Sequence, residues 1–329
     1  MTAAPSVLFD LGGVVVGWEP AGAYAGVLPP AEVADFLTRT DFGTWNRAAD
    51  AGRPFADVEA ELLTRFPEDA AAVRAYRQNF DRTLTGLVPG TGAVLAELQQ
   101  AGVTCAALTN WSAETFPVAR QRFGLLRRFT GVLVSGEERL AKPDPAIFRL
   151  ALERFALDPA GCVFVDDSPA NVEAATALGL TGLHFTGAER FRADLEQLGL
   201  LGPRAVPDEP VLHLTEDRVW RRALADGAYP WSGRTGTYES EGFVHAGFAD
   251  QVAGTRARKY ADLPDDALVV LELDARTLSV PVVVEDLGAG PFPHLYGPLP
   301  VDEVVAVHPY GGADGNTSRR VGPPFTTRA

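Results

Sequence analysis

Short apolar segments of β-strand character alternate with helical patterns from residue 6 to about residue 200. The strand-like segments cover residues 7–9, 103–108, 131–134, 162–165 and 182–185. Between them, apolar residues recur at the three- and four-residue spacing of amphipathic helices. Because strands that alternate with helices pair in parallel, this order predicts an α/β fold with a parallel sheet covered by helices.

Three further stretches complete the predicted organisation. Residues 17–87 carry amphipathic helical patterns without a strand-like segment, which predicts a helical insertion after the first strand. Residues 202–210 hold three prolines and are predicted to be a linker between a first domain at 1–201 and a second domain. Mixed strand and helix patterns at 211–311 predict a smaller α+β domain, and the polar residues 312–329 a disordered tail.

Charge and cysteine content narrow the classes of function. The 329 residues include 43 Asp and Glu against 29 Lys and Arg, for a formal net charge of −14. Such an acidic chain argues against a nucleic-acid or anionic-membrane partner, and we find no apolar run long enough to span a bilayer. Cys105 and Cys162 both lie within apolar runs and are expected to be buried free thiols. With no signal-like segment at the N-terminus, these features predict a cytoplasmic protein.

Polar residues follow four of the strand-like segments, where open α/β sheets bind their ligands. They are Asp10, Thr109 with Asn110, Lys142, and Asp166 with Asp167. A carboxylate there can bind a hard cation or act as a nucleophile, and paired carboxylates suit Mg²⁺. A hydroxyl can hold a phosphate oxygen, and an ammonium can pair with a carboxylate and a phosphate together. Taken one at a time, each residue also has a structural interpretation as a helix cap, a turn residue or a solvated charge.

In this order, the four groups resemble the motifs of the haloacid dehalogenase superfamily over about residues 5–200. The resemblance implies a Rossmann-like core with an α-helical cap at about 17–87. It also implies that Asp10 is the nucleophile that forms an aspartyl-phosphate and that Thr109 binds the transferring phosphoryl group. Lys142 would neutralise the negative charges of Asp10 and of the phosphate. Asp166 and Asp167, together with Asp10, would then hold Mg²⁺.

One position departs from the family pattern. Family phosphatases usually carry a second Asp, the general acid and base, two residues after the nucleophile, and this chain has Gly12 there. The backbone carbonyl of Gly12 can still bind the metal. Three interpretations stay open: a phosphatase with another proton donor, a metal-free dehalogenase, and a weak or inactive domain. Asn110 and the cap residue Arg47 are predicted to contact the substrate.

Four of the five histidines lie in the second domain, namely His213, His245, His294 and His308. Their wide spacing does not match a zinc site, and a structural role at strand ends is the alternative. About residues 209–310 resemble a small uncharacterised bacterial domain family that is itself similar to ADP-ribosyltransferases and RNA 2′-phosphotransferases. That resemblance implies a split β-sheet that binds NAD, with His213, His245, His294 and Tyr296 in its cleft.

The two halves together predict a bifunctional enzyme. The first would be a Mg²⁺-dependent phosphatase that acts on a small phosphate ester, such as a sugar phosphate or a nucleotide derivative. The second would handle NAD or ADP-ribose, with Glu272 as a candidate catalytic carboxylate. The alternative is a nucleotide-binding protein, or an ADP-ribosyltransferase-like enzyme, whose first domain is weak or inactive. The sequence leaves the substrate and the oligomeric state open.

Overall fold

The computed structural model describes residues 4–311 and divides the chain into two compact units. The first unit ends at Gly202 and the second begins at Pro203. The tail predicted to be disordered, 312–329, lies outside the described residues. Among the residues described, no helix has both the length and the apolar character needed to cross a membrane.

The first unit contains seven strands and ten α-helices within its described residues. The strands are β1 (Ser6–Phe9), β2 (Val16–Trp18), β3 (Leu84–Leu87), β4 (Thr104–Thr109), β5 (Val132–Val134), β6 (Cys162–Asp166) and β7 (Thr181–His184). The helices are α1 (Pro30–Arg39), α2 (Phe42–Asp50), α3 (Phe55–Arg65), α4 (Ala70–Gln78), α5 (Thr91–Gln100), α6 (Phe116–Arg122), α7 (Ser135–Glu138), α8 (Pro145–Arg154), α9 (Pro169–Ala177) and α10 (Ala188–Gln197).

A five-stranded parallel sheet with the order β5-β4-β1-β6-β7 forms the core of this unit. Its central strands β1 and β6 are buried along their whole length, because helices cover both faces of a parallel sheet. On one face Phe148 of α8 packs edge-on against Phe164 of β6, with ring centroids 5.2 Å apart. The five strands are the five predicted from the apolar segments, and the predicted Rossmann-like architecture is confirmed.

The insertion after β1 is helical, as predicted, but it also contains strand structure. Helices α1–α4 form a cap, and the short strands β2 and β3 pair antiparallel at its two ends. The prediction of no strand at residues 17–87 was therefore wrong. Strands of three and four residues that include Gly17 and Gly86 are too short to show a periodic pattern. Inside the cap Phe42, Trp45 and Tyr76 pack edge-on, with ring centroids 4.6–5.2 Å apart.

The second unit combines two antiparallel three-stranded sheets with three helices in its described part. Its strands are β8 (Val211–Glu216), β9 (Val244–His245), β10 (Leu268–Leu273), β11 (Val282–Asp286), β12 (Pro291–Leu295) and β13 (Ala306–Pro309). Its helices are α11 (Asp217–Asp226), α12 (Tyr238–Glu241) and α13 (Ala249–Lys259). The sheets have the orders β13-β10-β8 and β11-β12-β9, so the predicted α+β character is confirmed. Strand β12 escaped prediction because Pro291 and Pro293 interrupt its strand pattern.

Candidate active site

Three neighbouring strands bring the predicted residues of the first unit to one edge of the sheet. Asp10 directly follows β1, Thr109 is the last residue of β4, and Asp166 is the last residue of β6. Since β4, β1 and β6 are adjacent and parallel, their carboxyl ends meet at the same edge. Lys142 reaches this edge from the loop between α7 and α8. Four residues that are far apart in sequence therefore share one site.

The ammonium group of Lys142 lies between two of the carboxylates. Its Nζ donates to Asp10 Oδ1 at 2.8 Å, to Asp166 Oδ2 at 2.6 Å and to the Leu108 carbonyl at 2.9 Å. The Asn110 side chain binds the backbone of this lysine twice. Its Nδ2 donates to the Lys142 carbonyl at 2.9 Å, and its Oδ1 accepts from the Lys142 N–H at 2.8 Å. Asn110, for which the sequence predicts a substrate contact, therefore positions Lys142.

Three carboxylates form the acidic centre of the site. One oxygen from each of Asp10, Asp166 and Asp167 lies within 4.8 Å of the other two. Asp166 is completely buried and also accepts hydrogen bonds from the Ser168 N–H at 2.8 Å and from Asn171 Nδ2 at 3.0 Å. Asp167 is more exposed. Asp10 is buried as well and accepts a hydrogen bond from the Leu11 N–H at 2.7 Å, so two of the three acids are enclosed by protein donors.

The charges of this cluster favour a divalent cation. Burial raises the pKa of Asp10 to about 7, although Lys142 opposes the rise, and repulsion from Asp166 adds to it. Burial and then repulsion from Asp166 also raise the pKa of Asp167. Three carboxylates thus face one ammonium. Because Mg²⁺ prefers a few carboxylate oxygens together with water and phosphate oxygens, the donor set fits that ion. The predicted contribution of the Gly12 carbonyl stays a prediction.

The hydroxyl of Thr109 is buried without a partner. Its side chain is 1% exposed, and within residues 4–311 its Oγ1 has no hydrogen-bond partner. A buried hydroxyl that lacks a partner costs about 1–3 kcal/mol, which a bound acceptor would offset. Thr109 ends the strand beside the one that leads into Asp10, so a phosphate oxygen at Asp10 is a suitable acceptor.

Of the two glycines that follow Leu11, Gly13 cannot be replaced by a residue with a side chain, whereas Gly12 can. At Gly13, φ is +73° and a Cβ atom would lie 2.4 Å from Asp167 Oδ2, so only glycine fits this turn against the acidic cluster. At Gly12, a Cβ atom would meet no atom within 4 Å, and φ lies outside the left-handed region. Gly12 is therefore a position where the backbone and its surroundings would accept a side chain.

The cap contributes one predicted residue and one that sequence reasoning missed. Arg47 is exposed on α2, where its Nη2 donates to Thr44 of the same helix at 3.2 Å. Asp50, the last residue of α2, accepts a hydrogen bond from Asn46 Nδ2 at 3.0 Å, and its carbonyl accepts one from Ser135 Oγ at 2.5 Å, directly after β5. No motif marks Asp50, because a single acid at a helix end is common in any sequence.

Comparison with known proteins decides the family of the first unit. The model of haloacid dehalogenase-like hydrolases matches residues 5–179, more than half of the chain. The chain belongs to this family. A second model, a protein family of unknown function termed DUF952, matches residues 214–307. The resemblance of the second unit to ADP-ribosyltransferases stays a prediction.

Three curated relatives of this haloacid dehalogenase-like hydrolase differ in how much of their length it covers. Sesquiterpene phosphatase astK of Aspergillus oryzae is 28% identical over 199 residues, which are 60% of this chain and 97% of the relative. Hexitol phosphatase A of Escherichia coli is 32% identical over 181 residues, 52% of this chain and 78% of the relative. Acyl-CoA dehydrogenase family member 10 of Mus musculus is 28% identical over 215 residues, 59% of this chain but only 19% of that protein.

The second unit contains a cleft of about 700 Å³ whose lining includes His213, His245 and His294. Glu285, which sequence reasoning missed, is largely buried in the lining of this cleft and accepts hydrogen bonds from His294 Nδ1 at 3.0 Å and from the Tyr296 hydroxyl. The His294 ring also stacks on Phe243, with centroids 4.0 Å apart. Tyr296 is completely buried and does not line the cleft. The hydrogen bond to Glu285 and the stacking on Phe243 together fix the orientation of the His294 ring.

Two other predicted residues have protein partners that limit a ligand role. His213 is 1% exposed, and its ring nitrogens bond to the His245 carbonyl and to the Tyr229 hydroxyl. Burial lowers the pKa of His213 to about 4, so its ring is neutral. Glu272 of β10 and His308 of the neighbouring strand β13 form a hydrogen bond of 2.6 Å, and neither residue lines the cleft. His245 and His294 are therefore the histidines best placed to meet a ligand.

Proposed function

We propose that the first unit is a Mg²⁺-dependent phosphatase that hydrolyses a small phosphate ester through an aspartyl-phosphate on Asp10. The observation that carries this proposal is the Lys142 ammonium between Asp10 and Asp166, beside the unpartnered Thr109 hydroxyl. A nucleophile, a fixed positive charge and a donor for a phosphoryl oxygen are then in one place. Relatives named as hexitol and sesquiterpene phosphatases support a phosphate ester as substrate.

In this proposal the reaction proceeds in two steps, and Asp10 is both the nucleophile and a ligand of the metal. The Asp10 carboxylate attacks phosphorus, and the bond to the leaving oxygen breaks. Lys142 balances the charge of Asp10 and of the phosphoryl group, and the Thr109 hydroxyl donates a hydrogen bond to a phosphoryl oxygen. Water then attacks the aspartyl-phosphate and releases phosphate. When bound by Asp10, Asp166 and Asp167, Mg²⁺ would supply positive charge to the phosphoryl oxygens.

Hydrolysis of p-nitrophenyl phosphate with Mg²⁺ and with excess EDTA tests the metal requirement. We expect activity only with Mg²⁺. Asp167→Ala should raise the Mg²⁺ concentration for half-maximal activity by about tenfold or more, because the variant lacks one oxygen ligand. The matched control is Asp57→Ala, an exposed acid in the first turn of α3, which should leave the Mg²⁺ dependence unchanged. Full activity in excess EDTA would contradict the proposal and favour a metal-free dehalogenase-like site.

For the second unit we propose binding of NAD, ADP-ribose or a related nucleotide in the histidine cleft. The support is chemical: Arg258 and Lys259 line the cleft and can pair with phosphates, and His245 and His294 can meet ribose hydroxyls.

We also propose that the protein is located in the cytoplasm. The buried free thiols of Cys105 and Cys162 suit its reducing conditions.

Titration calorimetry of the full chain with NAD and with ADP-ribose tests nucleotide binding. His245→Ala should weaken binding about three- to tenfold, because one hydrogen bond to a hydroxyl is worth about 0.5–1.5 kcal/mol. His308→Ala is the matched control, since His308 lies outside the cleft lining. The absence of heat with either ligand at millimolar concentration would rule out this proposal and leave the histidines as structural residues.

A further inference from the structure

A buried carboxylate fixes both the orientation and the proton of one histidine in the second unit. Glu285 of β11 is 4% exposed, and its Oε1 accepts hydrogen bonds from His294 Nδ1 at 3.0 Å and from the Tyr296 hydroxyl. Because a carboxylate accepts hydrogen bonds and has no proton to donate, the proton of the neutral His294 ring lies on Nδ1. The other ring nitrogen, Nε2, therefore carries a lone pair.

This second nitrogen of His294 has no protein partner in the described part of the chain. No hydrogen bond within residues 4–311 engages Nε2, and His294 lines the cleft of about 700 Å³. His213 differs, because both of its ring nitrogens bond to protein groups. His308 differs in another way, since its carboxylate partner Glu272 and the ring itself lie outside the cleft lining. His294 thus combines a carboxylate on one nitrogen with a ligand cleft at the other.

A buried serine hydroxyl in the same cleft also lacks a partner. Ser232 lines the cleft and is fully buried, and its Oγ has no hydrogen-bond partner among the described residues. Its carbonyl accepts from the His245 N–H at 2.9 Å, so Ser232 lies beside the strand that carries His245. A buried hydroxyl without a partner is unfavourable, and a polar ligand group in the cleft would satisfy it.

Two cations border this cleft without a carboxylate partner. Arg258 and Lys259, at the end of α13, line it, and neither forms an ion pair with another described residue. Arg234, in contrast, is paired with Asp262. A ligand with two phosphates would supply the missing negative charge. The nucleotides proposed above carry two phosphates, which a phosphoanhydride bond joins.

We propose that the second unit hydrolyses the phosphoanhydride bond of such a nucleotide, with His294 as the general base and Glu285 as the residue that positions it. The assignment rests on the proposed nucleotide binding and adds a reaction to it. His245 keeps the contact to a ribose hydroxyl, while His294 Nε2 accepts a proton from water. The Glu285 carboxylate stabilises the imidazolium that results.

The balance of protons closes with one base. As the water oxygen bonds to one phosphorus, His294 Nε2 takes a proton from it, and the bond between that phosphorus and the bridging oxygen breaks. The bridging oxygen leaves as part of the other phosphate, a stable anion that needs no proton from an acid. The imidazolium then releases its proton to solvent. The products are two phosphate monoesters.

The charges of the cleft favour this bond over the glycosidic bonds of the same nucleotides. When water attacks phosphorus, negative charge builds up on the phosphoryl oxygens, and Arg258 and Lys259 can stabilise it. Cleavage of a glycosidic bond instead builds positive charge on the sugar, which the two cations would oppose. The monoester products also belong to the substrate class proposed for the Asp10 site. Phosphoanhydride hydrolysis would therefore supply substrate for the phosphatase reaction.

Chromatography of NAD incubated with the full chain identifies the bond that breaks. We expect AMP and nicotinamide mononucleotide, and we sum AMP and adenosine because the first unit is itself proposed to hydrolyse phosphate monoesters. His294→Asn keeps an N–H donor near the place of Nδ1 but lacks Nε2, and it should lower the summed rate by about 10²-fold or more. Glu285→Gln should lower kcat by about tenfold or more and the NAD affinity by less than about threefold, because Glu285 acts through His294. Titration calorimetry measures the affinity.

The second carboxylate–histidine pair of this unit provides the matched control. His308→Asn and Glu272→Gln make the same two changes outside the cleft and should alter neither the rate nor the affinity. If calorimetry detects no NAD binding, the proposed binding fails, and with it the inference. If NAD binds but neither AMP nor adenosine forms, or if nicotinamide and ADP-ribose form instead, the inference alone is overturned. Equal losses of rate in the His294→Asn and His308→Asn proteins would also overturn it, because the loss would then be structural.

Discussion

Replacing Asp10 with Asn is expected to abolish phosphate-ester hydrolysis, with a loss of about 10⁴-fold or more in kcat. The amide of Asn cannot form the bond to phosphorus that the proposed mechanism requires, while its shape matches that of Asp. Hydrolysis of p-nitrophenyl phosphate with saturating Mg²⁺ measures the effect. Turnover above a tenth of the wild-type value would show that Asp10 is not the nucleophile.

The same variant should be more stable than the wild type in EDTA at neutral pH. In the folded metal-free protein the pKa of Asp10 is about 7, whereas its ordinary value is 3.8. Between these values the folded state binds more protons than the unfolded state, so the contribution of Asp10 to stability falls as pH rises from about 4 to about 7. Asn does not titrate. The Tm difference between the variant and the wild type should therefore grow across this window, which shows that lost activity is not lost folding.

The largest stability effect is expected for Lys142→Met. Methionine has a similar length but no charge, and it would leave Asp10 and Asp166 without their shared cation. Removing one partner of a buried ion pair costs about 3–5 kcal/mol, and urea unfolding in EDTA at neutral pH measures it. We also expect hydrolysis to be lost, because nothing then balances the nucleophile and the phosphoryl group.

A double-mutant cycle distinguishes lost charge pairing from lost packing. In the Asp10→Asn background the lysine has one carboxylate fewer to neutralise, so Lys142→Met should cost less there than in the wild type. Equal costs in both backgrounds would mean that Lys142 stabilises the fold through its aliphatic stem. A cost below about 1 kcal/mol in the wild type would show that the buried Asp10 and Asp166 carboxylates do not depend on the Lys142 charge.

The residues that sequence reasoning misplaced share one property: their roles depend on partners far along the chain. Asn110 follows a strand end, like the catalytic residues, yet its amide is used by the backbone of Lys142, 32 residues away. His213 alternates into the interior, where Tyr229 and the His245 carbonyl take its ring nitrogens. A strand-end position indicates that a side chain is near the site, but the neighbouring elements decide what it touches.

The sequence by itself determined the parallel sheet and the acids at its edge. Apolar runs of strand length alternate with helical periodicity, and parallel pairing carries every strand end to one side. Asp10, Thr109 and Asp166 could be predicted together for this reason, whereas Lys142 reaches the same edge from the loop between α7 and α8. Only the tertiary structure decided that Asn110 holds the backbone of Lys142 and that Glu285 holds His294. An acid on a half-buried strand has no periodic or spacing signal. Its role arises from packing between elements, which fixes its burial, its hydrogen-bond donors and hence its charge.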